Sequence, residues 1–236
     1  MTNLKLALLC IFTSFGIQAQ GIIGAWENDT TSESGDQLKT VITFVDGYLA
    51  STTFNASTGK FIATHGGSWT LEGEVMTEKV EFDTTNSDRV GTEISYKLAI
   101  SDNEIDILDT HLKFDRIDAG GPGKLQGAWL MSGRIIDGQA QVRNKDSPRK
   151  TMKILSGSRF QWIAYNTETK QFMGTGGVTY TTINGDYTER IEFFSKDDSR
   201  VGLDLKFKYE LVDGQWHHKG LSSKGDPINE VWRLRD

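Results

Sequence analysis

Cysteine is nearly missing from this chain. Cys10 stands alone, so no disulfide can form within the chain, and stability must come from packing rather than staples. Histidine is scarce too: His65, His111, His217 and His218 are the full set. None stands in HExxH spacing. His217 and His218 are adjacent, so on a strand they face opposite ways and cannot chelate one metal together. No Gly-x-Ser-x-Gly elbow occurs, which removes the usual serine-hydrolase signature. Asp197, Asp198 and Asp226 do not fall into EF-hand spacing. Bases number 26 against 32 acids, a net charge of −6, which argues against nucleic acid or an anionic membrane as the main partner. No apolar run reaches the roughly 20 residues a bilayer requires. Proline is limited to three residues. No cofactor is expected from any of these patterns.

What the chain has in plenty is glycine, 25 residues, set between short runs of Thr, Val, Ile, Tyr, Phe and Trp. That is the composition of an all-β protein. The first residues form a separate unit. Lys5 begins a small positive region, Leu6 to Phe15 is a short apolar run, and Ala19 is a small residue where a peptidase would cut. Residues 1–19 read as an export signal. Cys10 lies inside it, so the mature chain would carry no thiol, and thiol catalysis is excluded. The product would be exported to the periplasm or beyond, with no integral membrane segment after cleavage.

The rest is a tandem repeat. A shift of 111 aligns residues 38–100 with 149–211, with 16 of 63 positions identical. Chance would give roughly a quarter of that number. The identities cluster: Lys39-Thr40 with Lys150-Thr151, Glu81-Phe82 with Glu192-Phe193, Arg89-Val90-Gly91 with Arg200-Val201-Gly202. Upstream, Gly24-Ala25-Trp26 matches Gly127-Ala128-Trp129, but the second copy carries eight more residues before its Lys-Thr. Its first loop, around IIDGQAQVRNKDSPR, therefore holds an insertion. The Gly-rich stretch at 119–123 reads as a linker, which divides the chain into domains at 20–118 and 124–236.

Each copy holds about eight strand-like runs. In the second they lie near 127–136, 149–155, 159–165, 172–183, 187–194, 202–212, 215–221 and 229–235. LDLKFKYEL alternates most clearly: Leu203, Leu205, Phe207, Tyr209 and Leu211 share one face. Ile94, Tyr96, Leu98 and Ile100 repeat the pattern in the first copy. Asn184-Gly185 and Asp213-Gly214 mark tight hairpins. About eight meandering strands in some 110 residues predict an up-and-down antiparallel β-barrel for each copy, which removes exposed edges. A two-sheet sandwich is the alternative. The GTGG run at 174–177 precedes a strand, not a helix, so it reads as strand curvature rather than a phosphate loop.

The Gly-x-Trp on the first strand of each copy resembles the lipocalin (calycin) signature. The fuller pattern, with GG..YT..NG.YTERIEF, WHHKG and a closing Glu-Val-Trp, is similar to secreted lipocalin-like proteins of Bacteroidetes. The resemblance covers nearly all of the second copy, with the first a divergent version. It implies that Trp26 and Trp129 close one barrel end and that a late arginine, Arg116 in one copy and Arg233 or Arg235 in the other, packs across each. It implies a possible internal ligand without naming one.

The inward face carries the candidates for binding. TEKVEF and TERIEF place Glu78 and Glu189 in phase with Met76, Val80 and Phe82, or with Tyr187, Ile191 and Phe193. A carboxylate on such a face must be paired, hydrogen-bonded or protonated. The second barrel offers Tyr180, Tyr209, His218 or an arginine as partners, with Trp216 beside them; Trp69 and Tyr96 stand at matching places in the first. Three roles stay open for the glutamates: an anchor for a ligand hydroxyl or amine, a structural pair, or a frame slip at a bulge that turns Glu192 inward instead. Arg89 and Arg200 follow acidic runs and read as loop ion pairs or as rim cations. Three functions follow: a module binding a small apolar or aromatic molecule, an adaptor with packed barrels and a protein partner of unknown kind, or an enzyme using an interior glutamate.

Overall fold

The computed structural model describes residues 21–235, without the side chain of Val178. The expected export signal and Cys10 lie outside the described residues. The first copy supplies β1 (Gly24–Thr31), β2 (Gln37–Val45), β3 (Tyr48–Asn55), β4 (Phe61–Glu72), β5 (Val75–Asp83), β6 (Glu93–Ile100), β7 (Glu104–Ile107) and β8 (Leu112–Asp118). Each pairs antiparallel with the next, and β1 closes on β8. The second copy supplies β9 (Gly127–Ile136), β10 (Gln139–Val142), β11 (Arg149–Leu155), β12 (Arg159–Asn166), β13 (Gln171–Ile183), β14 (Asp186–Phe194), β15 (Asp204–Val212), β16 (Gln215–Leu221) and β17 (Pro227–Leu234). Strand β9 closes on β17. The protein is thus two up-and-down antiparallel barrels of eight strands, with β10 as an extra arm. That arm corrects one expectation: the insertion is not a plain loop but a hairpin, in which residues 133–136 pair with 139–142. Its tight turn puts Asp137 and Gly138 at positive φ.

A strand buried on one face leaves the other free to pack outward. Here β2, β3 and β5 of the first barrel lie against β11, β12 and β13 of the second. Val45, Ala50 and Phe82 join Met152, Ile154, Ile163 and Tyr165 in one core between the barrels. Phe61 stacks on Phe172, its own counterpart in the repeat, at 5.9 Å and 8°. Phe54 meets Phe193 at 5.0 Å, and Phe82 meets Tyr165 at 5.0 Å. These last two are one contact seen twice, since the shift of 111 turns 54 into 165 and 82 into 193. A counterpart touching itself and a pair exchanged reciprocally define an approximate twofold axis. The tandem chain packs as a self-complementary dimer does, with both halves in one polypeptide.

This contact overturns the expectation that Phe82 and Phe193 point into the barrels. The register slips by one residue between Gly66 and Gly67 and between Gly177 and Val178, and a bulge of this kind reverses the phase of the residues beyond it. Glu78 and Glu189 lie before the slip and stay inside; the phenylalanines lie after it and turn outward. The rings then cross the glycines. A Cβ on Gly177 would sit 2.1 Å from the Phe193 ring, and one on Gly66 would sit 2.6 Å from Phe82.

Candidate functional site

The two interiors share a plan and differ in filling. The first barrel encloses an open cavity of about 330 Å³, at the small end of the range for ligand pockets. Phe44, Leu49, Leu98, Ile105 and Phe114, all buried, form its apolar floor. Toward solvent the lining changes to Asn28, Thr30, Thr40, Thr53 and Thr110. The opposite end is shut. Trp26 is fully buried and its Nε1 donates to the Ile22 carbonyl at 2.8 Å. The Arg116 guanidinium lies over its ring at 3.9 Å and donates to the carbonyl oxygens of Ile23 and Gly21. Trp69 is buried against Phe44, edge to face, and its indole N–H donates to Val45 O at 3.0 Å; it lies beside the cavity floor, outside the cavity lining.

One polar wall faces this cavity. Glu78 is fully buried, with Oε1 3.1 Å from His65 Nδ1 and Oε2 without a hydrogen-bond partner among the described residues. Tyr96 lines the same space and accepts from Arg89 Nη2 at 3.0 Å, while Arg89 also pairs with Asp83 at 3.1 Å. Arg89 is therefore both a loop ion pair and a support for a cavity residue. Burial, with the Glu78 charge adding to it, raises the Tyr96 hydroxyl above its ordinary range, so that hydroxyl is neutral at physiological pH.

In the second barrel larger buried side chains stand at the same positions. The shift of 111 and the strand register set the exchanges: Ile42 becomes Lys153, Leu49 becomes Phe160, Met76 becomes Tyr187, Ile105 becomes Trp216, Ile107 becomes His218, and Phe114 becomes Trp232. Aliphatic side chains give way to rings, and the rings pack edge to face across the barrel axis, as Tyr187 does against Trp216 at 5.3 Å. Lys153 stands in the middle. Its Nζ lies 3.5 Å from Glu189 Oε1 and within 4.6 to 6.0 Å of five ring centroids, those of Phe160, Tyr187, Phe207, Trp216 and Trp232. Burial pushes Lys153 down, opposed chiefly by Glu189, and pushes Glu189 up, opposed chiefly by Lys153.

The partners considered for Glu189 are thus elsewhere. Tyr180 donates to the Ser156 carbonyl at 2.6 Å, Tyr209 is only partly buried against the core, and His218 faces Glu230 at 3.5 Å. The partner that matters, Lys153, was missed. Its neighbours Met152 and Ile154 are the apolar members of β11, and they serve the contact between barrels, so strand alternation alone sends the lysine outward. Trp129 is buried, with Nε1 on Leu125 O at 2.9 Å. Among the described residues no arginine lies over its ring: register pairs Leu234 with Trp129, and Arg233 lines a separate notch. Among the described residues no cluster of three or more metal-ligating side chains occurs. No family model matches the chain, and no curated protein matches its sequence.

His218 gives this interior a pH dependence. Burial, helped by the Lys153 charge and opposed by Glu230, pushes His218 down from 6.5 to about 4. Between those values the unfolded chain takes up a proton that the folded one refuses, so the contribution is complete above pH 6.5 and lost as pH falls toward 4. By pH 4.5 the loss amounts to roughly 2–3 kcal/mol. His218→Leu is expected to lose that much less between pH 7 and 4.5 in urea unfolding. An equal loss in both proteins would remove His218 as the cause.

Proposed function

We propose that the protein is an exported lipocalin-like binding module, in which the first barrel takes a small, largely apolar ligand and the second acts as a solid support. The observation that carries this reading is the open cavity in the first barrel, with the unpartnered Glu78 Oε2 on its wall. A carboxylate oxygen only accepts hydrogen bonds, so the ligand it suits brings one hydroxyl or amine donor to an otherwise apolar body. The cavity volume favours a small molecule of up to three rings. The filled second barrel supports the adaptor reading for that half alone. Its rings and the Lys153–Glu189 pair occupy the positions that line the cavity of the first barrel. The enzyme reading has less support. Glu78 and His65 make a hydrogen-bonded pair, but among the described residues no nucleophile is hydrogen-bonded to His65.

The test fills one barrel with the other's residues. Leu49→Phe and Ile105→Trp copy the second barrel at two floor positions. The wild type should enhance the fluorescence of N-phenyl-1-naphthylamine, a neutral two-part aromatic amine, and the filled variant should not, with an unchanged circular dichroism spectrum. Glu78→Gln should weaken binding roughly tenfold, because the amide replaces one acceptor oxygen by a donor. Equal enhancement in the filled variant, or none in the wild type, would sink the cavity as a binding site and leave the adaptor.

A further inference from the structure

The insertion that sets the second copy apart builds a notch on its barrel. Strand β9 pairs with β11 only as far as Leu130, and from Gly133 it pairs with β10. The loop after β10 returns across the gap. Arg143, Lys145, Arg149 and Lys150 gather there with Arg233 of β17, around about 260 Å³ of open space floored by Leu130, Met131 and Ser132. Among the described residues, none of these five cations has a carboxylate within 4.0 Å. Their hydrogen bonds go to neutral groups: Arg143 Nη1 donates to Thr151 Oγ1, and Lys150 Nζ to the Ser147 carbonyl, both at 3.3 Å. The nearby Arg134 is already paired with Glu230 at 3.5 Å. Burial, together with the charges of Arg134 and Arg149, holds Arg143 below its ordinary range, as expected of a cation among cations.

Composition does not account for this. The whole chain is acidic, and the matching stretch of the first copy, residues 27–38, carries Glu27, Asp29, Glu33 and Asp36 with no base. The second copy inverts the charge there. Five unpaired like charges around one hollow repel one another, and an anion seated between them removes that cost. Three of the five are arginines, whose planar forks suit tetrahedral oxyanions by paired N–H donors.

We propose that this notch binds the phosphate or sulfate group of a small anionic molecule, independently of the cavity in the first barrel. Calorimetric titration at low ionic strength with glucose 6-phosphate, and with glucose as the uncharged control, tests it. The phosphate ester should bind and glucose should not, and added salt should weaken the binding. Arg143→Ala with Arg149→Ala should weaken it by at least roughly tenfold, while Lys219→Ala and Glu78→Gln leave it unchanged. Arg149 is exposed, so Arg149→Ala alone keeps the test open if the double variant unfolds. Co-sedimentation with phosphatidylglycerol vesicles that needs Arg143 and Arg149, without binding of the sugar phosphate, would assign the site to a lipid headgroup phosphate. Absence of binding to both probes, or equal binding in the arginine variants, would overturn the proposal.

Discussion

Lys153→Ile is expected to cost the protein roughly 3–5 kcal/mol, even though it installs the residue that the first barrel carries at the same place, Ile42. The reason lies in what is left behind. Glu189 is 6% exposed and its cationic partner is Lys153. Without it the carboxylate must either stay charged in a ring-lined interior or take up a proton. Glu189→Gln should cost a similar amount from the other side, since the ammonium would keep the ring faces but lose its counter-charge. The ring faces offset part of this, because each favours the cation. The decisive measurement is the double-mutant cycle. Lys153→Ile with Glu189→Met replaces the pair by apolar atoms of similar volume, and a replaced pair is far less costly than a broken one. The double variant should therefore recover most of the loss in urea unfolding followed by tryptophan fluorescence. Additive losses, or a stable Lys153→Ile protein, would show that the two groups do not depend on each other.

The same pair marks how far the sequence could be read. The barrels were legible because turns, strand lengths and period-two alternation agree with one another, and because the repeat offered every signal twice. Glu78 and Glu189 were legible as interior carboxylates for the same reason. Their partners were not. His65 and Lys153 reach them from other strands, and strand pairing across a barrel is not written in local spacing. The outward face was the larger blind spot. Met152, Ile154, Phe82 and Phe193 are as apolar as core residues, so alternation cannot separate the inside of a barrel from the face it presents to its twin. The bulges at Gly66 and Gly177 then reverse the phase within a single strand. The unequal interiors could be found in the sequence once the register was known, since Leu49 against Phe160 and Ile105 against Trp216 is a plain difference in volume. The basic notch needed the hairpin, because Arg233 comes from the far end of the domain.

Arg235→Ala is expected to uncouple the two barrels. The second glutamate of TEKVEF, Glu81, points outward to the contact between them, where Arg235 holds it by two bonds, Nη2 to Oε1 at 2.8 Å and Nη1 to Oε2 at 2.9 Å. Tyr165 donates to the same carboxylate, and the guanidinium lies 3.9 Å from the Tyr48 ring centroid. Every one of these contacts joins one copy to the other. Burial alone would raise Glu81, yet the Arg235 bonds and charge hold it below the ordinary carboxylate range. Removing the arginine strands that carboxylate, so the loss should reach roughly 3–5 kcal/mol. The counterpart carboxylate, Glu192, is held by Arg159 of its own barrel at 2.6 Å, and among the described residues the ion pair of Arg159 to the other barrel is a longer one, to Glu27 at 3.7 Å. The approximate twofold is therefore unequal in charge: one clamp crosses the contact strongly and the other weakly. Arg159→Ala should cost less than Arg235→Ala. Calorimetry separates coupling from local damage: the wild type should melt in one transition, and Arg235→Ala in two, with the barrel spectra retained below the first. A single transition merely shifted to lower temperature would show that Arg235 supports its own barrel rather than the contact.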